Sequence, residues 1–183
     1  MQIKRYLQFW NSLLKNQKLI DQHYKSIYEI DYQQLREYHD LVIFDYDDTL
    51  TCMHGDLPDA TLTLLKHIQS LGFKVGVVSN CMYARFLKLQ KVFSKLDIFI
   101  SPNRNKPSPE GFINVSEHYA IPLNKAVSIG DRLGTECYGS SLAGVKTIYL
   151  IDKYSTMFKC NTSFPPLNWL DKLERRIYFG NDK

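Results

Sequence analysis

The sequence has few cysteines, no long apolar run and no strong excess of charge, and each absence narrows the range of functions. No stretch approaches the roughly 20 apolar residues of a membrane span, and the polar N-terminal segment does not resemble a signal peptide. The net charge of +4 is too small to indicate nucleic-acid binding. We therefore expect a cytoplasmic protein without a nucleic-acid partner, and contact with an anionic membrane surface stays open.

The cysteines and histidines are scattered and form neither a CxxC pair nor a cluster with metal-ligand spacing, which argues against a zinc site. In a cytoplasmic chain we expect free thiols at all of the cysteines. These are Cys52, Cys81, Cys137 and Cys160. Any metal site must then be built from carboxylates.

Residues 41–150 alternate apolar runs with segments of helical periodicity. The apolar runs predict strands at 41–45, 74–80, 97–100, 125–130 and 146–150. Helical spacing predicts helices at 59–72, 84–96, 108–120 and near 135–143. This alternation is typical of an α/β protein whose parallel sheet carries helices on both faces. We expect an N-terminal helical extension at 1–40, a core at 41–152, and a C-terminal tail and helix at 153–183.

Two flanking segments have the apolar periodicity of amphipathic helices. On the helix predicted at 3–14, the apolar face consists of Ile3, Leu7, Trp10 and Leu14. On the C-terminal helix it consists of Trp169 or Leu170, with Leu173 and Ile177. Each pattern predicts a helix packed on the core, and docking to a membrane or to a partner is the alternative.

The stretch LVIFDYDDTL (41–50) runs from four apolar residues straight into Asp45, Asp47 and Asp48. Ligands bind at the carboxyl ends of parallel strands, so Asp131, at another strand end, should join these acids in one crevice. Carboxylates at this density need a cation, and hard oxygen ligands select Mg²⁺. Asp48 is more typical of a turn than of a ligand. Glu136 either supports the metal from behind its ligands or lies on a helix surface.

A carboxylate site with Mg²⁺ suits phosphoryl transfer, because the metal offsets the repulsion between an attacking carboxylate and an anionic phosphate. Asp45 and Asp47 fit the nucleophile and the general acid/base of a two-step reaction through an aspartyl-phosphate. Ser79 and Asn80, at the end of the second predicted strand, can hydrogen-bond to phosphate oxygens. Lys106 supplies the positive charge that steadies the phosphate and the nucleophile.

Four short motifs stand in order at these strand ends: DYDDTL, VVSN, NKP and GDRLGTE. Together they resemble the four motifs of the haloacid dehalogenase (HAD) phosphatases, a superfamily with a Rossmann-like fold. The resemblance implies Asp45 as nucleophile and Asp47 as general acid/base. It implies Ser79 and Lys106 as phosphate partners. It also implies that Mg²⁺ binds the Asp45 carboxylate, the backbone carbonyl of Asp47 and the Asp131 carboxylate. An Asp at the second position is the phosphatase pattern, whereas related ATPases usually carry Thr there.

The intervals between Asp45 and Ser79, and between Ser79 and Lys106, leave no room for the cap domains that family members insert there. We expect a capless, open site, which suits a large or exposed phosphate ester better than a small metabolite. The stretches IYEID, GDRLGTECYGSSLAGVKTIYL and LERRI resemble YqeG-type (class IIIA) HAD phosphatases, which are related to phosphatidylglycerophosphate phosphatases. That subfamily typically carries Asn where Asp48 stands and Asp where Glu136 stands, which leaves the substrate open.

Three functions are compatible with these residues. The first is a Mg²⁺-dependent phosphomonoesterase that acts on phosphatidylglycerophosphate or on another large or exposed phosphate ester. The alternative from another class is a HAD-fold regulatory or binding protein without catalysis, and a third is a phosphotransferase that shares the aspartyl-phosphate. Basic residues along the N-terminal helix favour a lipid substrate: Lys4, Arg5, Lys15 and Lys18. A homo-oligomer stays open, because a neighbouring copy could close an open site.

Overall fold

The computed structural model describes residues 2–103, 105–160 and 165–180 of the chain. The strands are β1 (Gln22–Tyr24), β2 (Leu41–Phe44), β3 (Lys74–Val77), β4 (Phe99–Ile100), β5 (Ala126–Gly130) and β6 (Lys146–Leu150). The α-helices are α1 (Gln2–Leu14), α2 (Tyr32–Arg36), α3 (Asp59–Ser70), α4 (Tyr83–Ser94), α5 (Glu110–Tyr119), α6 (Tyr138–Ala143), α7 (Tyr154–Met157) and α8 (Pro165–Phe179). A π-helical turn, Leu133–Cys137, precedes α6.

All six strands form one parallel sheet in the order β1-β6-β5-β2-β3-β4. The central strands β2 and β5 are buried along their whole length, as expected for a sheet that is covered on both faces. The predicted α/β architecture is therefore confirmed, and the predicted strands overlap β2 to β6. β1 was not predicted, because Gln22–Tyr24 is a short polar strand at the sheet edge without an apolar pattern.

The helices cover both faces of the sheet and hold β2 between them. On one face, α3 and α4 bury Leu65 and Phe93 in a cluster that includes Phe44. On the other face, α5 packs Phe112 in a cluster with Ile43. Each such fully buried side chain contributes about 1.5–3 kcal/mol to folding. This packing fixes the carboxyl end of β2, from which the three acids follow.

α1 packs on the core as predicted, and Trp10 packs against the same cluster, but the fully buried residues are not the predicted ones. Phe9 and Leu13 are its buried residues, and the Phe9 ring lies 5.5 Å from that of Tyr138. Leu7 and Leu14 are 66% and 68% exposed, so the prediction that they face the core is wrong. The aromatic contact with Tyr138 of α6 selects the Phe9 face, and apolar spacing alone could not distinguish the two faces.

α8 buries acids rather than a continuous apolar face. Asp171 and Glu174 are buried, whereas Trp169 is 67% exposed, so Trp169 does not join the predicted apolar face. Of the other predicted face residues, Trp10, Leu170, Leu173 and Ile177 are half-buried, and the side chain of Ile3 lies outside the described set. In the described part of the chain, no helix has the length and apolar character that a membrane crossing requires.

Two of the cysteines are joined, which corrects the expectation of four free thiols. Cys52 and Cys160 form a disulfide with their Cα atoms 6.2 Å apart. Cys81 and Cys137 are buried and lie outside this bond. The sequence separation of the bonded pair is 108, so only the fold brings the tail back to the loop after β2.

Candidate active site

Three strand ends meet at one cleft. β5, β2 and β3 are neighbours in the sheet, and their carboxyl ends bring Asp131, Asp45 and Ser79 together as predicted. The cleft has a volume of about 340 Å³. Of the predicted site residues, those that line it are Asp45, Asp47, Asp48, Ser79, Asn80, Lys106 and Glu136. Asp131 is fully buried beside the cleft.

Lys106 is the centre of a buried charge network. Its Nζ donates to Oδ1 of Asp45 at 2.6 Å and to the Val78 carbonyl at 2.7 Å, and it also pairs with Glu136. Burial alone would lower the pKa of Lys106, but the Asp45 and Glu136 carboxylates raise it above its usual range. Burial raises the pKa of Asp45 well above its usual range, and the charge of Glu136 adds to this effect. The carboxylate of Glu136 contributes to both shifts, because it stabilises the charged lysine and repels the charged aspartate.

The acids could hold a metal ion. Asp45, Asp131 and Glu136 each offer a carboxylate oxygen, and these atoms lie within 4.8 Å of one another. Neither oxygen of Asp131 has a hydrogen-bond partner among the described residues, and Lys153 and Arg132 approach it only to 3.8 and 4.0 Å. Burial raises the pKa of Asp131 to about 7, although both cations lower it. A hard divalent cation would satisfy these oxygens, so the donor set fits Mg²⁺.

Glu136 belongs to this buried cluster, which excludes the helix surface as its place, and its role in supporting a metal stays a prediction. Its side chain is 2% exposed, and Thr135 Oγ1 donates to its Oε2 at 2.6 Å. The close approach requires a glycine at 130, because a Cβ there would lie 2.4 Å from the Glu136 Cγ. Glu136 is therefore not a helix-surface residue.

Asp47 lies on another wall of the cleft, where Arg85 holds it. Arg85 Nη1 donates to both carboxylate oxygens of Asp47, at 2.8 and 2.9 Å, and lies 2.9 Å from His54 Nδ1. Arg85 Nη2 donates to the Gly55 carbonyl at 3.2 Å. The His54 backbone N–H donates to Asp47 Oδ1 at 2.7 Å. The predicted acid/base is thus fixed in place, and its carboxylate is not part of the acid cluster.

The cleft therefore has two differently built walls. We call the buried group the inner wall: Asp45, Lys106, Asp131 and Glu136. We call the more exposed group the outer wall: Asp47, His54, Met82 and Arg85. Apart from Asp47, the outer wall was not predicted, because its residues stand outside the four motifs. The available signal was a basic residue in the helix that directly follows VVSN.

Ser79 and Asn80 occupy the end of β3, but Asn80 is already engaged. Its Oδ1 accepts from the Lys106 backbone N–H at 2.8 Å, and its Nδ2 donates to the Lys106 carbonyl at 3.1 Å. Ser79 is buried, and its Oγ accepts from the Cys81 N–H at 3.3 Å. Asn80 thus positions Lys106, a role that was not predicted, and phosphate contacts by Ser79 and Asn80 stay predictions.

Asp48 occupies a turn, as predicted. Its φ of 61° is left-handed, its N–H donates to the Thr51 carbonyl, and its carbonyl accepts from the Tyr154 N–H, both at 2.8 Å. Its carboxyl is nevertheless buried, and Oδ1 has no hydrogen-bond partner within the described ranges. The Asp48 charge adds to the effect of burial in raising the pKa of Asp131.

Comparison with solved structures identifies the fold. A HAD-superfamily hydrolase from Ehrlichia chaffeensis matches with a TM-score of 0.52 and 15% sequence identity, over 67% of this chain and 95% of that one. A haloacid dehalogenase-like hydrolase from Bacteroides fragilis matches with a TM-score of 0.50 and 16% identity, over 72% and 93% of the two chains. The chain therefore has the Rossmann-like fold of the HAD hydrolases.

Comparison with curated protein sequences finds relatives that are named as phosphatases. The glyceraldehyde 3-phosphate phosphatase of Methanopyrus kandleri is 28% identical over 109 residues, which cover 56% of this chain and 46% of the relative. The protein of the same name from Pyrococcus abyssi is 24% identical over 113 residues, 58% of this chain and 47% of the relative. The chain thus spans about half the length of these relatives. No family model matches it.

Proposed function

We propose that the protein is a capless, Mg²⁺-dependent phosphomonoesterase of the HAD type, which works through an aspartyl-phosphate on Asp45. The observation that carries the proposal is the inner wall, where Asp45, Lys106, Asp131 and Glu136 meet at the strand ends of a HAD fold. The curated relatives are named phosphatases, which supports the same reaction class.

In the first step, a carboxylate oxygen of Asp45 attacks the phosphorus, and the bond between phosphorus and the alcohol oxygen breaks. Lys106, which is bonded to Oδ1 of Asp45, orients the carboxylate and adds positive charge beside the phosphate. Asp45, Asp131 and the Asp47 carbonyl would hold Mg²⁺, with Glu136 in the same acid cluster. Bound there, Mg²⁺ supplies the charge that allows an anionic phosphate to approach a carboxylate.

Asp47 moves the protons in both steps. As the ester bond breaks, its carboxylic acid donates a proton to the leaving alcohol oxygen. In the second step its carboxylate takes a proton from the water that attacks the aspartyl-phosphate. The carboxylate of Asp45 is restored and inorganic phosphate leaves. Arg85 and the His54 N–H fix the Asp47 carboxylate for these transfers.

The open cleft supports a large or exposed phosphate ester as substrate. In the described residues, the segment from β2 to β3 contains only α3 as a helix, and the segment from β3 to Lys106 contains α4 and β4. Segments with so few elements support a site without a cap domain. We propose a YqeG-type enzyme with phosphatidylglycerophosphate as the leading candidate substrate. Glyceraldehyde 3-phosphate, which the names of the relatives contain, is the second.

The test is phosphate release by wild type, Asp45→Asn and the exposed control Asp59→Asn, each with Mg²⁺ and with a chelator. The panel is p-nitrophenyl phosphate, phosphatidylglycerophosphate in micelles, glyceraldehyde 3-phosphate and a nucleoside monophosphate. We expect release that needs Mg²⁺ and falls at least about 10³-fold in Asp45→Asn alone, because the nucleophile is lost. Silence of a folded, Mg²⁺-binding wild type across the panel would favour the regulatory alternative.

A further inference from the structure

Arg85 is a cation of the cleft that the proposed chemistry does not place on the phosphate. Among the described residues that line the cleft, the lysine and arginine side chains are Arg85, Lys106 and Arg132. Lys106 is committed to Asp45 and Glu136, and Arg132 belongs to the motif that carries Asp131. Arg85 stands apart from both, on the outer wall.

The position of Arg85 places it on the leaving-group side of the scissile phosphate. In the proposed reaction Asp47 donates its proton to the leaving oxygen, so whatever adjoins Asp47 also adjoins the leaving group. Arg85 contacts both carboxylate oxygens of Asp47. A guanidinium in this place therefore meets the organic part of the substrate, and the phosphate itself lies at Asp45 and Lys106.

Arg85 is also held ready to bind an anion. His54 and the Gly55 carbonyl restrain the guanidinium, and its centre stands 5.1 Å from the centroid of the Tyr46 ring. Its side chain is 18% exposed, so a ligand in the cleft can reach it. A guanidinium has five N–H donors, which is more than the Asp47 carboxylate can use. Binding would therefore not require the Asp47 contact to be abandoned.

The helix that carries Arg85, α4, adds positive charge at the same place. α4 begins at Tyr83, and Arg85 lies in its first turn. The preceding Met82 lines the cleft and makes no side-chain cap bond. The amino end of a helix carries partial positive charge, so the field of α4 adds to that of the guanidinium.

From this placement we propose that Arg85 forms a subsite for a second anionic group on the substrate, a carboxylate or a phosphodiester one short linker from the scissile phosphate. The inference rests on the proposed phosphomonoesterase function. It makes the substrate class narrower than an exposed phosphate ester: the preferred molecule has a monoester phosphate for Asp45 and a second anion for Arg85. An ester whose scissile phosphate is its only anionic group, such as glyceraldehyde 3-phosphate, binds without this contact.

The test compares kcat/KM for two matched substrate pairs. In the carboxylate pair, 3-phosphoglycerate is set against glyceraldehyde 3-phosphate, which has an aldehyde in place of the carboxylate. In the phosphodiester pair, deacylated phosphatidylglycerophosphate is set against glycerol 3-phosphate. We expect the wild type to prefer the member with a second anionic group in at least one pair by about 10- to 100-fold, the range for a charge-assisted hydrogen bond. The pair that shows the preference identifies the anion.

The variants assign the preference to Arg85. In Arg85→Gln we expect the ratio within the preferred pair to fall to about one, whatever happens to the absolute rates, and Arg85→Lys should restore part of it. Lys88→Gln changes an exposed residue of the same helix and should leave the ratio at the wild-type value. The ratio is a sharp readout, because loss of Asp47 positioning alone would slow both members of a pair equally.

Two results would overturn the subsite: a wild type with no preference in either pair, or an unchanged ratio in Arg85→Gln. Both leave the proposed function standing if p-nitrophenyl phosphate is still cleaved with dependence on Mg²⁺ and Asp45. If no monoester is cleaved under those conditions, the proposed function itself fails, and the subsite fails with it.

Discussion

The two walls of the cleft are built on opposite principles. On the inner wall no residue is more than 8% exposed, and buried charges hold one another in place. On the outer wall, Met82 is 79% exposed, and the Arg85 and Asp47 side chains remain 18% and 23% exposed. Because solvent does not screen the inner wall, the attraction of Lys106 for Asp45 and Glu136 is strong enough there to fix their geometry. A group that must meet varied substrates lies where they can reach it. Substitutions within and behind these walls test this difference.

The largest expected effect comes from removing the cation of the inner wall. Lys106→Met would leave Asp45 and Glu136 buried without their partner, which typically costs about 3–5 kcal/mol. We expect the free energy of unfolding, measured with urea, to fall by that amount, and phosphate release to fall at least about 10³-fold. Lys66→Met, at an exposed position of α3, is the control. Unchanged stability in Lys106→Met would show that the buried acids do not depend on this lysine.

The next largest effect is expected at Glu174, a buried acid behind the inner wall. Glu174 on α8 is buried, and its Oε2 accepts from the Gly134 N–H at 3.2 Å. Burial raises its pKa from 4.5 to about 7, and the charge of Asp171 adds to this. The folded protein therefore keeps a proton that the unfolded chain has lost, so Glu174 makes stability fall as the pH rises from 4.5 to 7.

We expect Glu174→Gln to remove this loss, because glutamine carries no charge to desolvate. At pH 8 the variant should be more stable than wild type by up to about 3 kcal/mol, with little difference at pH 4.5. Urea unfolding at both pH values measures this, and Glu117→Gln, exposed on α5, is the control. The same gain at both pH values would point to packing rather than to proton binding.

A smaller effect is expected from Glu136, the acid that adjoins the proposed metal ligands. Glu136→Gln keeps the shape of the side chain and the contact with Thr135, but removes one negative charge from the cluster. We expect the Mg²⁺ concentration for half-maximal activity to rise about tenfold, and calorimetric titration should show the same loss of affinity. Glu117→Gln again serves as control. An unaltered Mg²⁺ requirement would place Glu136 outside the metal site.

The smallest effect is expected on the outer wall. Met82→Ser replaces an apolar side chain that makes little contact with the core, so the free energy of unfolding should stay within about 0.5 kcal/mol of wild type. Thermal unfolding with and without Mg²⁺ measures it. A loss above 1 kcal/mol would mean that Met82 is covered in solution, by a neighbouring molecule or by a second copy.

The parts of the site that the sequence predicts are those that follow from parallel strands. Asp45, Ser79 and Asp131 are distant in the chain, but each directly follows a strand, and neighbouring parallel strands bring their carboxyl ends to one edge. Lys106 is found through its motif. Arg85 could not be predicted in the same way. Its pairing with Asp47 becomes visible only when the fold places the loop that contains His54 against α4.

The parts of the fold that were missed depend on tertiary contacts. The buried face of α1 is chosen by the aromatic side chains it meets, and the apolar spacing of α1 allows a second choice that includes Leu7 and Leu14. The sequence pattern of α8 predicts Glu174 on the exposed face of an amphipathic helix. It is instead buried against Gly134, because the missing side chain of the glycine leaves room for it. The Cys52–Cys160 pairing requires the whole chain to be folded.

The two hydrogen bonds from the Asn80 amide to the Lys106 backbone have a consequence for how this chain can vary. They tie the lysine directly to the residue that follows the sheet, so its place is set by β3 rather than by the loop that leads to it from β4. We therefore expect a change in the length of that loop to leave the lysine, and with it the geometry of the inner wall, in place.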